Sequence, residues 1–324
     1  MRFESRATNR PLICVLGGTG FVGQHLVNQL ADAGYRVRVI TRHRERHRAL
    51  LVRPEVELIE DNIHDVEILR QHFSGCIAVI NLVAILNEHR RGDFQNVHVV
   101  LPGKIIQACR DQGVKRLLHM SALNADTRAD TSRYLHSKGQ GEKLLQVASD
   151  DLDITIFRPS IIFGPGDHFF NRFAALLHLS PLPFPVVSAA ARFAPVFVGD
   201  VVQAFITALR KQETIGQTYE LCGPRSYSML ELIEFTAGVI KLKRILVNCG
   251  PLMSALMGRI MGMLPGKLLT YDNVVSMRQA SVCKSAFPAV FAIQPAGIET
   301  VVPAYLGQTT LRGRYFGMRR HAGR

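Results

Sequence analysis

The stretch from Leu12 to Gly23 reads LICVLGGTGFVG, and it decides the fold of the chain. Its first five residues form an apolar run typical of a buried strand. Residues from Gln24 to Ala33 have the apolar spacing of a helix, which Gly34 ends. The glycines between strand and helix permit a tight turn whose backbone N–H groups approach a pyrophosphate at the positive end of the helix. The predicted dinucleotide-binding residues of this loop are Gly17, Gly18, Thr19, Gly20, Phe21, Val22 and Gly23.

The sequence context of the loop separates a nucleotide site from an ordinary strand-to-helix turn. The loop follows a predicted strand, opens a predicted helix and lies within a unit of about thirty residues, as a dinucleotide fingerprint requires. Similar apolar runs alternate with helical segments further along the chain, at Arg36–Ile40, Val56–Ile59, Ile77–Leu82, Leu117–Met120 and Ile154–Phe157. This alternation predicts an α/β fold with a Rossmann-type doubly wound parallel sheet, whose ligand lies at the carboxyl ends of the strands.

The regular alternation stops after Arg158, where prolines interrupt a long apolar stretch. We therefore expect a smaller, less regular C-terminal domain after the Rossmann domain. The predicted boundaries are an N-terminal tail at 1–10, a nucleotide-binding Rossmann domain at 11–160 to which part of 193–221 returns, a substrate or partner domain at 161–308 and a basic tail at 309–324.

The composition is that of a folded protein that can bury a large core. Of 324 residues, 47% are hydrophobic and 20% are charged, so disorder is expected only in short tails. The formal net charge of +13 favours an anionic partner, which is a phosphorylated ligand, an acidic lipid surface, an acidic protein or nucleic acid. Nucleic acid is the weakest of these, because the sequence has no helix-turn-helix, zinc-finger or aromatic RNA-binding signature.

The cysteines and the apolar runs bear on the cellular compartment. Six cysteines occur without a CxxC pair, several of them within apolar runs, so we expect reduced core residues, a reducing compartment and no metal site. The first ten residues lack the apolar run of a secretory signal, and no apolar stretch is long enough to cross a bilayer. The expected location is the cytoplasm, with peripheral attachment to the inner face of the membrane as a further hypothesis.

The end of the second predicted strand indicates which dinucleotide binds. NAD-binding domains place an acidic residue there for the ribose hydroxyls, but this chain has Thr41-Arg42-His43-Arg44. The guanidinium groups of Arg42 and Arg44 suit the 2′-phosphate of NADP(H), since they pair well with phosphate oxygens. NADP(H) is therefore favoured over NAD(H), and the alternative is that the arginines form a solvated basic loop.

Several separated motifs resemble the extended short-chain dehydrogenase/reductase superfamily of NAD-dependent epimerase/dehydratase-like proteins, from about Leu12 to about Leu306. Besides the glycine loop they are NLVA at 81–84, YLHSK at 134–138, RP at 158–159 followed by FGPG at 163–166, and VFVGDV at 196–201. The segments NLVAILNE, VHVVLPGKIIQAC, GVKRLLHMSALNAD and SRYLHSKGQGEKLL resemble, more narrowly, the NADPH-binding accessory subunit of respiratory complex I and its bacterial relatives. That family keeps the Rossmann fold and bound NADPH without a usual catalytic turnover, so the resemblance favours binding over catalysis.

The resemblance implies roles for the site residues. Tyr134 exchanges a proton with a substrate carbonyl, and Lys138, one helical turn later, lowers the pKa of the tyrosine and binds the nicotinamide ribose. The superfamily's Ser or Thr after the fifth strand aligns with Ala122, so this donor is missing, and Ser121 replaces it only if the turn shifts. The alternative for the Y-x-x-x-K pair is two surface residues of a helix. The remaining expected cofactor contacts are Asp61, Asn62, Leu82, Val83, Ala84, Ser121, Pro159 and Ile161.

Two further positions depart from the superfamily pattern. Asn62 lies where the family often has an aspartate near the adenine, and Asp61 precedes it and is the candidate for that role. His98 lies where many extended members carry a structural asparagine. A lone histidine is more often a satisfied helix residue than a catalyst, so we assign it no chemistry.

A stripe of apolar residues between Leu252 and Leu264 recurs at helical spacing, with Arg259 on another face. The members of the stripe are Met253, Leu256, Met257, Ile260, Met261 and Leu264. With basic residues upstream and downstream, it predicts a surface helix for anionic lipid or a membrane complex, and the alternative is core packing of methionines. The basic residues are Lys241, Lys243, Arg244 and Lys267, and the tail from Arg312 to Arg324 adds five arginines.

Three functions fit these observations to different degrees. The leading hypothesis is an atypical short-chain dehydrogenase-like protein that binds NADP(H) and serves as an accessory or assembly factor of a respiratory or quinone-linked membrane system. The second is an NADP-dependent oxidoreductase of an apolar carbonyl or quinone-related substrate that uses Tyr134 and Lys138. A sugar-nucleotide epimerase or dehydratase ranks last, because the apolar stretch from Leu176 to Val187 offers few groups for a sugar diphosphate.

Overall fold

Seven strands form one sheet in the computed structural model, which describes residues 10–128, 132–180, 183–263 and 269–307. The strands of this sheet are β1 (Leu12–Leu16), β2 (Arg36–Thr41), β3 (Val56–Glu60), β4 (Cys76–Asn81), β5 (Arg116–Met120), β6 (Asp153–Pro159) and β11 (Thr218–Leu221). Their order across the sheet is β11-β6-β5-β4-β1-β2-β3. Every pairing from β3 across to β6 is parallel, so the predicted doubly wound parallel sheet is confirmed.

The central strand β1 is buried along its whole length, which explains its continuous apolar sequence. The strand order reverses between β1 and β4, because β2 follows β1 on one side and β4 lies on the other. In open α/β sheets such a switch point opens a crevice at the carboxyl ends of the strands, where ligands bind. The glycine loop lies at the end of β1, at this crevice.

Helices alternate with the strands in the first part of the chain and dominate its second part. They are α1 (Phe21–Asp32), α2 (Arg48–Leu51), α3 (Val66–Phe73), α4 (Asp93–Gln95), α5 (Leu101–Asp111), α6 (Arg133–Ala148), α7 (Phe170–Leu179), α8 (Val198–Arg210), α9 (Met229–Val239), α10 (Pro251–Met263), α11 (Tyr271–Ser276) and α12 (Ile298–Leu306). Short 3₁₀ turns occur at Arg44–His47, Gln212–Thr214 and Ala289–Phe291, and a π-helical turn lies at Asn96–Val100 between α4 and α5.

The chain divides into two compact units. Unit 1 contains Met1–Arg158 and Val202–Tyr219, and unit 2 contains Pro159–Val201 and Glu220–Arg324. The core of unit 1 packs aliphatic side chains of the sheet against α3, α5 and α6. Unit 2 has its own core, which is rich in phenylalanine. Among its described residues, short strands form three pairs: β7 (Ile162–Phe163) with β10 (Val196–Phe197), β9 (Arg192–Phe193) with β12 (Tyr227–Ser228), and β8 (Phe184–Val187) with β13 (Leu246–Cys249).

A buried carboxylate organises the start of unit 2's core. Asp167 accepts hydrogen bonds from the backbone N–H groups of Gly164, Phe169 and Asn171, which fixes the turn before α7. The hydroxyl of Tyr305 on α12 donates to the same carboxylate, at 2.5 Å. Burial and the charge of Asp167 raise the pKa of Tyr305, so this tyrosine stays protonated and acts as a hydrogen-bond donor within the core.

The expectation that all six cysteines are reduced is wrong for two of them. Cys222 and Cys283 form a disulfide within unit 2 across a sequence separation of 61 residues. Spacing alone did not predict this pair, because tertiary folding brings a residue after β11 next to a distant loop. Cys14, Cys76 and Cys109 are buried free thiols, and burial raises the pKa of Cys76 to about 11 and that of Cys109 to about 12. The cysteine pattern therefore no longer indicates a reducing compartment.

Two glycines allow α6 to approach its neighbours at backbone distance. A Cβ on Gly141 would lie 2.0 Å from the carbonyl oxygen of His98, in the π-helical turn. A Cβ on Gly139 would lie 2.5 Å from the carbonyl carbon of Asp126. Both contacts are with backbone, which cannot move aside as a flexible side chain does. The glycines of the segment SKGQGEK are thus required by packing.

We predict that Gly141→Ala lowers the free energy of unfolding by about 2 kcal/mol or more, since the added methyl group overpacks a rigid contact. Gly103→Ala is the matched control, because Gly103 lies in helix α5 and a Cβ there meets nothing within 4 Å. The free energy of unfolding of the control is expected to rise by up to about 1 kcal/mol, because alanine has a better helix propensity than glycine. Urea unfolding of both variants measures the difference, and equal stabilities would contradict the packing argument.

Candidate dinucleotide site

The glycine loop closes tightly on itself and on the end of β4. Gly17 has a φ of +80°, a conformation that favours glycine, and a Cβ there would lie 3.1 Å from the carbonyl carbon of Leu82. A Cβ on Gly23 would lie 2.2 Å from the carbonyl oxygen of Gly17. The N–H of Gly20 donates to that same oxygen at 3.0 Å. The loop and the first turn of α1 therefore pack together as one rigid turn.

The start of α1 is arranged as an anion site. Gly20 is its N-cap residue, and a glycine supplies no side-chain acceptor for the first N–H groups of the helix. These N–H groups and the helix dipole attract negative charge, as a pyrophosphate group provides. The Nε2 of Gln24 donates to the carbonyl oxygen of Thr19 at 2.8 Å and holds the loop in place. The predicted loop residues thus form one continuous cradle.

The end of β2 carries no carboxylate. Thr41 is buried, and its hydroxyl accepts from the N–H of His43 at 3.4 Å. Arg42 is exposed directly after the strand. Arg44 is held instead, because its Nε donates to the carbonyl oxygen of Leu58 at 3.1 Å and its N–H to Glu60 at 2.7 Å. Of the two predicted arginines, Arg42 is the more available to a ligand.

The end of β3 presents the predicted adenine-side residues. His72 Nε2 donates to Asp61 Oδ2 at 3.0 Å, and the N–H of Asn62 donates to Asp61 Oδ1 at 2.8 Å. These hydrogen bonds hold the pKa of Asp61 below its usual range, so it is a charged acceptor. Asn62 turns its own side chain back to accept from the N–H of His64 at 3.0 Å. Asp61 is therefore the better of the two acceptors for an adenine amino group.

Tyr134 and Lys138 lie one turn apart on α6, as their spacing predicts. Lys138 is only 2% exposed, and its Nζ donates to the carbonyl oxygen of Met120, at the end of β5, at 3.0 Å. Burial lowers the pKa of this lysine to about 8. The side chain of Tyr134 is partly buried beside the rings of Phe94 and His98, and burial of its hydroxyl raises the pKa of Tyr134 to about 12.

Sequence reasoning missed Glu142, which continues the same helical face one turn after Lys138. It is 2% exposed and forms an ion pair with Arg158 at the end of β6, in which Arg158 Nε donates to Oε1 at 2.9 Å. Its charge raises the pKa of Lys138 and partly offsets the effect of burial. The available signal was the spacing of four residues from Tyr134 to Lys138 and again to Glu142.

His98 is a satisfied structural residue in the π-helical turn. Its Nε2 accepts from the N–H of Ile85 at 3.2 Å, so its Nδ1 carries the proton and donates to Ser137 Oγ at 2.8 Å. Ser137 in turn donates to the carbonyl oxygen of Tyr134 at 2.8 Å. Burial lowers the pKa of His98 to about 2, so the ring stays neutral. It connects the loop after β4 to the start of α6.

Position 122 carries alanine, and the neighbouring hydroxyl is buried. Strand β5 ends at Met120, and the N–H of Ser121 donates to the carbonyl oxygen of Phe157 at 2.7 Å. Ser121 is 5% exposed, and its Oγ has no hydrogen-bond partner among the described residues. Burying such a hydroxyl without a partner is costly, and the predicted cofactor contact of Ser121 would supply one.

The end of β4 presents backbone rather than reactive side chains. Asn81 Oδ1 accepts from the N–H of Val83 at 3.1 Å, and its Nδ2 donates to His119 Nδ1 at 3.1 Å. Leu82 is buried, and Ala84 is exposed at the turn that follows. The other two predicted contacts, Pro159 and Ile161, belong to unit 2, where Ile161 packs against the phenylalanine-rich core.

Metal ligands and membrane-spanning helices are two further features on which the described residues bear. They contain no group of three or more His, Cys, Asp or Glu side chains placed to hold a metal ion. Among the helices of the described ranges, none is long and apolar enough to cross a membrane. The basic tail from Arg312 to Arg324, together with Leu264 and Lys267, lies outside the described residues.

The fold and the glycine loop define a Rossmann-type dinucleotide-binding protein. Comparison with protein families matches residues 13–222 to the "NAD dependent epimerase/dehydratase family", and the chain belongs to that family. The family assignment confirms the resemblance to the short-chain dehydrogenase/reductases and supports nicotinamide dinucleotide binding, and the glycine loop stays the predicted place for it.

Curated relatives and solved structures agree with this assignment. The chain is 30% identical over 293 residues to mouse "NADH dehydrogenase [ubiquinone] 1 alpha subcomplex subunit 9, mitochondrial", which covers 88% of this chain and 77% of the mouse protein. It is also 30% identical over 244 residues to "Ceramide reductase" of Caulobacter vibrioides, which covers 74% of each chain. A dTDP-glucose 4,6-dehydratase of Bacillus anthracis shares the fold with a TM-score of 0.64 at 16% identity, over 74% of this chain and 85% of that chain.

The lowered pKa of Lys138 predicts how stability changes with pH. Between about pH 8 and the usual lysine pKa of 10.5, the unfolded chain binds a proton at this residue that the folded chain does not. The free energy of unfolding therefore rises with pH over this window. Between pH 7 and pH 10.5, the free energy of unfolding of the native protein should rise by up to about 3 kcal/mol relative to that of Lys138→Met. Urea unfolding of both proteins measures this gain, and a pH-independent difference would contradict the buried charge.

Proposed function

We propose that this protein binds NADP(H) and holds it with little turnover, as an accessory or assembly factor of a respiratory or quinone-linked membrane system. The observation that carries the proposal is the combination of a complete dinucleotide cradle with an alanine at position 122. The relationship to a subunit named for NADH dehydrogenase [ubiquinone] supports the respiratory setting.

The surroundings of Tyr134 and Lys138 support binding rather than proton transfer. A reductase tyrosine works best with its pKa lowered towards the working pH, and burial raises the pKa of Tyr134 to about 12 instead. The ammonium group of Lys138 already donates a hydrogen bond to the carbonyl oxygen of Met120. With alanine at position 122, the oxygen of a substrate also lacks the donor that normally holds it. These residues suit contacts to a nicotinamide ribose.

The choice of NADP(H) depends on charge at the end of β2. Thr41 occupies the position of the acidic residue that would repel a 2′-phosphate, and Arg42 beside it is exposed. The neighbouring residues Arg44, Arg46 and Arg48 keep this segment positive, although Glu45 partly offsets them through its contact with Arg44. A doubly charged phosphate fits such a segment better than neutral ribose hydroxyls do.

We predict that Arg42→Ala weakens NADPH binding by about 10- to 100-fold, because one charge-assisted hydrogen bond to a phosphate is lost. Binding of NADH should stay the same within about twofold, since NADH has no 2′-phosphate. Arg210→Ala is a basic-residue control in the same unit, where Arg210 donates to the hydroxyl of Tyr35. Titration calorimetry on nucleotide-free protein measures both constants, and an equal loss for NADH and NADPH would contradict the assigned contact.

The second candidate function is NADP-dependent reduction of an apolar carbonyl or quinone-related substrate. It is favoured by the retained pair Tyr134 and Lys138 and by two relatives with reductase names. These are the ceramide reductase and a 4-hydroxy-2-methyl-3-oxo-4-farnesyl-3,4-dihydroquinoline-1-oxide ketoreductase of Stigmatella aurantiaca, which is 27% identical over 176 residues. A sugar-nucleotide epimerase remains third, because the solved structures with those names share the fold at 16–21% identity.

A serine at position 122, which restores the missing hydroxyl, distinguishes the two leading functions by experiment. If position 122 limits turnover, Ala122→Ser should raise NADPH oxidation by apolar ketones or quinones by about a hundredfold. Tyr134→Phe added to Ala122→Ser should abolish the gain and leave NADPH affinity largely unchanged. A native protein that already turns over rapidly, and loses this activity in Tyr134→Phe alone, would make it a working reductase and overturn the leading proposal.

A further inference from the structure

Helix α10 packs against unit 2 through its small residues. Ser254 and Gly258 are its buried members, and Ser254 accepts from the N–H of Ser188 at 3.2 Å and donates to the carbonyl oxygen of Cys249 at 3.0 Å. A Cβ on Gly258 would lie 2.9 Å from the side chain of Val274 on α11. The face of α10 that contacts the protein also includes Met257, whose Sδ lies 3.8 Å from Cys249 Sγ.

Five large apolar side chains of α10 point the other way, whereas Met257 and Met261 of the predicted stripe are partly buried. Leu252 is 89% exposed, Met263 85%, Ile260 54% and Leu256 50%, and Met253 is also exposed. At 100° per residue these five side chains fall within an arc of about 100°, opposite the buried small residues. A helix that serves only its own core buries its large apolar residues, so this apolar face has no partner among the residues that the structure describes.

The apolar face lies in a segment without negative charge. Residues 235–271 contain no Asp or Glu, whereas Lys241, Lys243, Arg244 and Arg259 are all cationic. Arg259 borders the apolar arc and is exposed, with its guanidinium 5.2 Å from the centre of the Tyr271 ring. Glu234, just before the segment, lines the same hollow as Lys243 and Arg244.

We propose that the apolar face of α10 inserts into the surface of a bilayer that contains anionic phospholipid. The proposal rests on the membrane setting of the proposed function and names the surface that contacts the membrane. An exposed arc of Leu, Met and Ile that is bordered by Arg259 and lies in a segment whose other charged residues are cations matches the acyl chains and headgroups of such a bilayer. A protein groove of comparable affinity would be expected to meet aromatic anchors, which this arc lacks.

The chain contains no tryptophan, so a single introduced tryptophan reports its own surroundings. We would compare full-length Leu256→Trp with Val147→Trp, whose position on α6 is 72% exposed and lies in unit 1. Vesicles are made of equal amounts of phosphatidylglycerol and phosphatidylcholine, or of phosphatidylcholine alone. With the anionic vesicles, Leu256→Trp emission should shift to the blue and be quenched by brominated acyl chains, and Val147→Trp emission should not change.

A second pair of variants measures the contribution of the apolar face to binding. Leu256→Glu combined with Ile260→Glu should weaken co-sedimentation with anionic vesicles by about tenfold or more, since two apolar side chains lose their burial. Val147→Glu should bind like the native protein. Native binding that these substitutions leave unchanged would assign the membrane contact to charge elsewhere in the chain and overturn the proposal.

Two further outcomes also overturn the proposal: an unshifted emission from Leu256→Trp on vesicles that bind the protein, and no binding of the native protein to anionic vesicles. NADPH content is measured on the same preparations. If vesicle binding fails while NADPH is retained, the lipid surface is wrong and the cofactor proposal stands. If NADPH is absent while the vesicle results are as expected, only the cofactor proposal fails.

Discussion

The backbone contact between Gly17 and Gly23 is the constraint on which the rest of the nucleotide site depends. A Cβ at position 23 would lie 2.2 Å from the Gly17 carbonyl, so the loop adopts this turn only with glycine there. That contact sets the direction of α1 and aims its first N–H groups at the switch point of the sheet. The exposed Arg42 at the end of β2 and the charged Asp61 at the end of β3 lie at the same edge of the sheet, since parallel strands end together.

A second constraint is the buried charge of Lys138. An ammonium group removed from water needs compensation, which the carbonyl oxygen of Met120 and the negative charge of Glu142 supply. Glu142 is itself balanced by Arg158, so α6, β5 and β6 are joined by polar contacts as well as by apolar packing. In this arrangement the helix is held firmly, and its tyrosine has a raised pKa. Firm positioning with a weakened proton donor is what the proposed binding role requires.

Much of the fold could be predicted from the sequence, for reasons visible in particular residues. Strand β1 is fully buried and has a continuous apolar sequence. The glycines that follow it fit a tight strand-to-helix turn better than any other local structure. The Y-x-x-x-K spacing likewise placed Tyr134 and Lys138 on one helical face. The roles of Glu142 and Gly141 were not predicted, because they depend on which segments lie beside α6 in three dimensions. The Cys222–Cys283 disulfide was mispredicted for the same reason.

Helix α10 shows that helical periodicity alone does not tell whether an apolar face points into the core or towards the outside. Helical spacing of Leu256 and Ile260 predicted an amphipathic helix, yet the same spacing fits a core helix equally well. Ser254 and Gly258 decide between them, since these small residues are buried against the protein while Leu252, Leu256, Ile260 and Met263 are exposed. The small residues at positions 254 and 258, one turn apart, are the feature of the sequence that favours the exposed arrangement.

The most direct test of the central claim is to purify the native protein without added nucleotide, denature it, and identify and quantify what is released. The account predicts NADP(H) in near-stoichiometric amount, and no significant oxidation of bound NADPH when the same native sample is mixed with a panel of quinones and apolar ketones. Release of NAD(H) alone, no nucleotide at all, or rapid oxidation that Tyr134→Phe abolishes would contradict it.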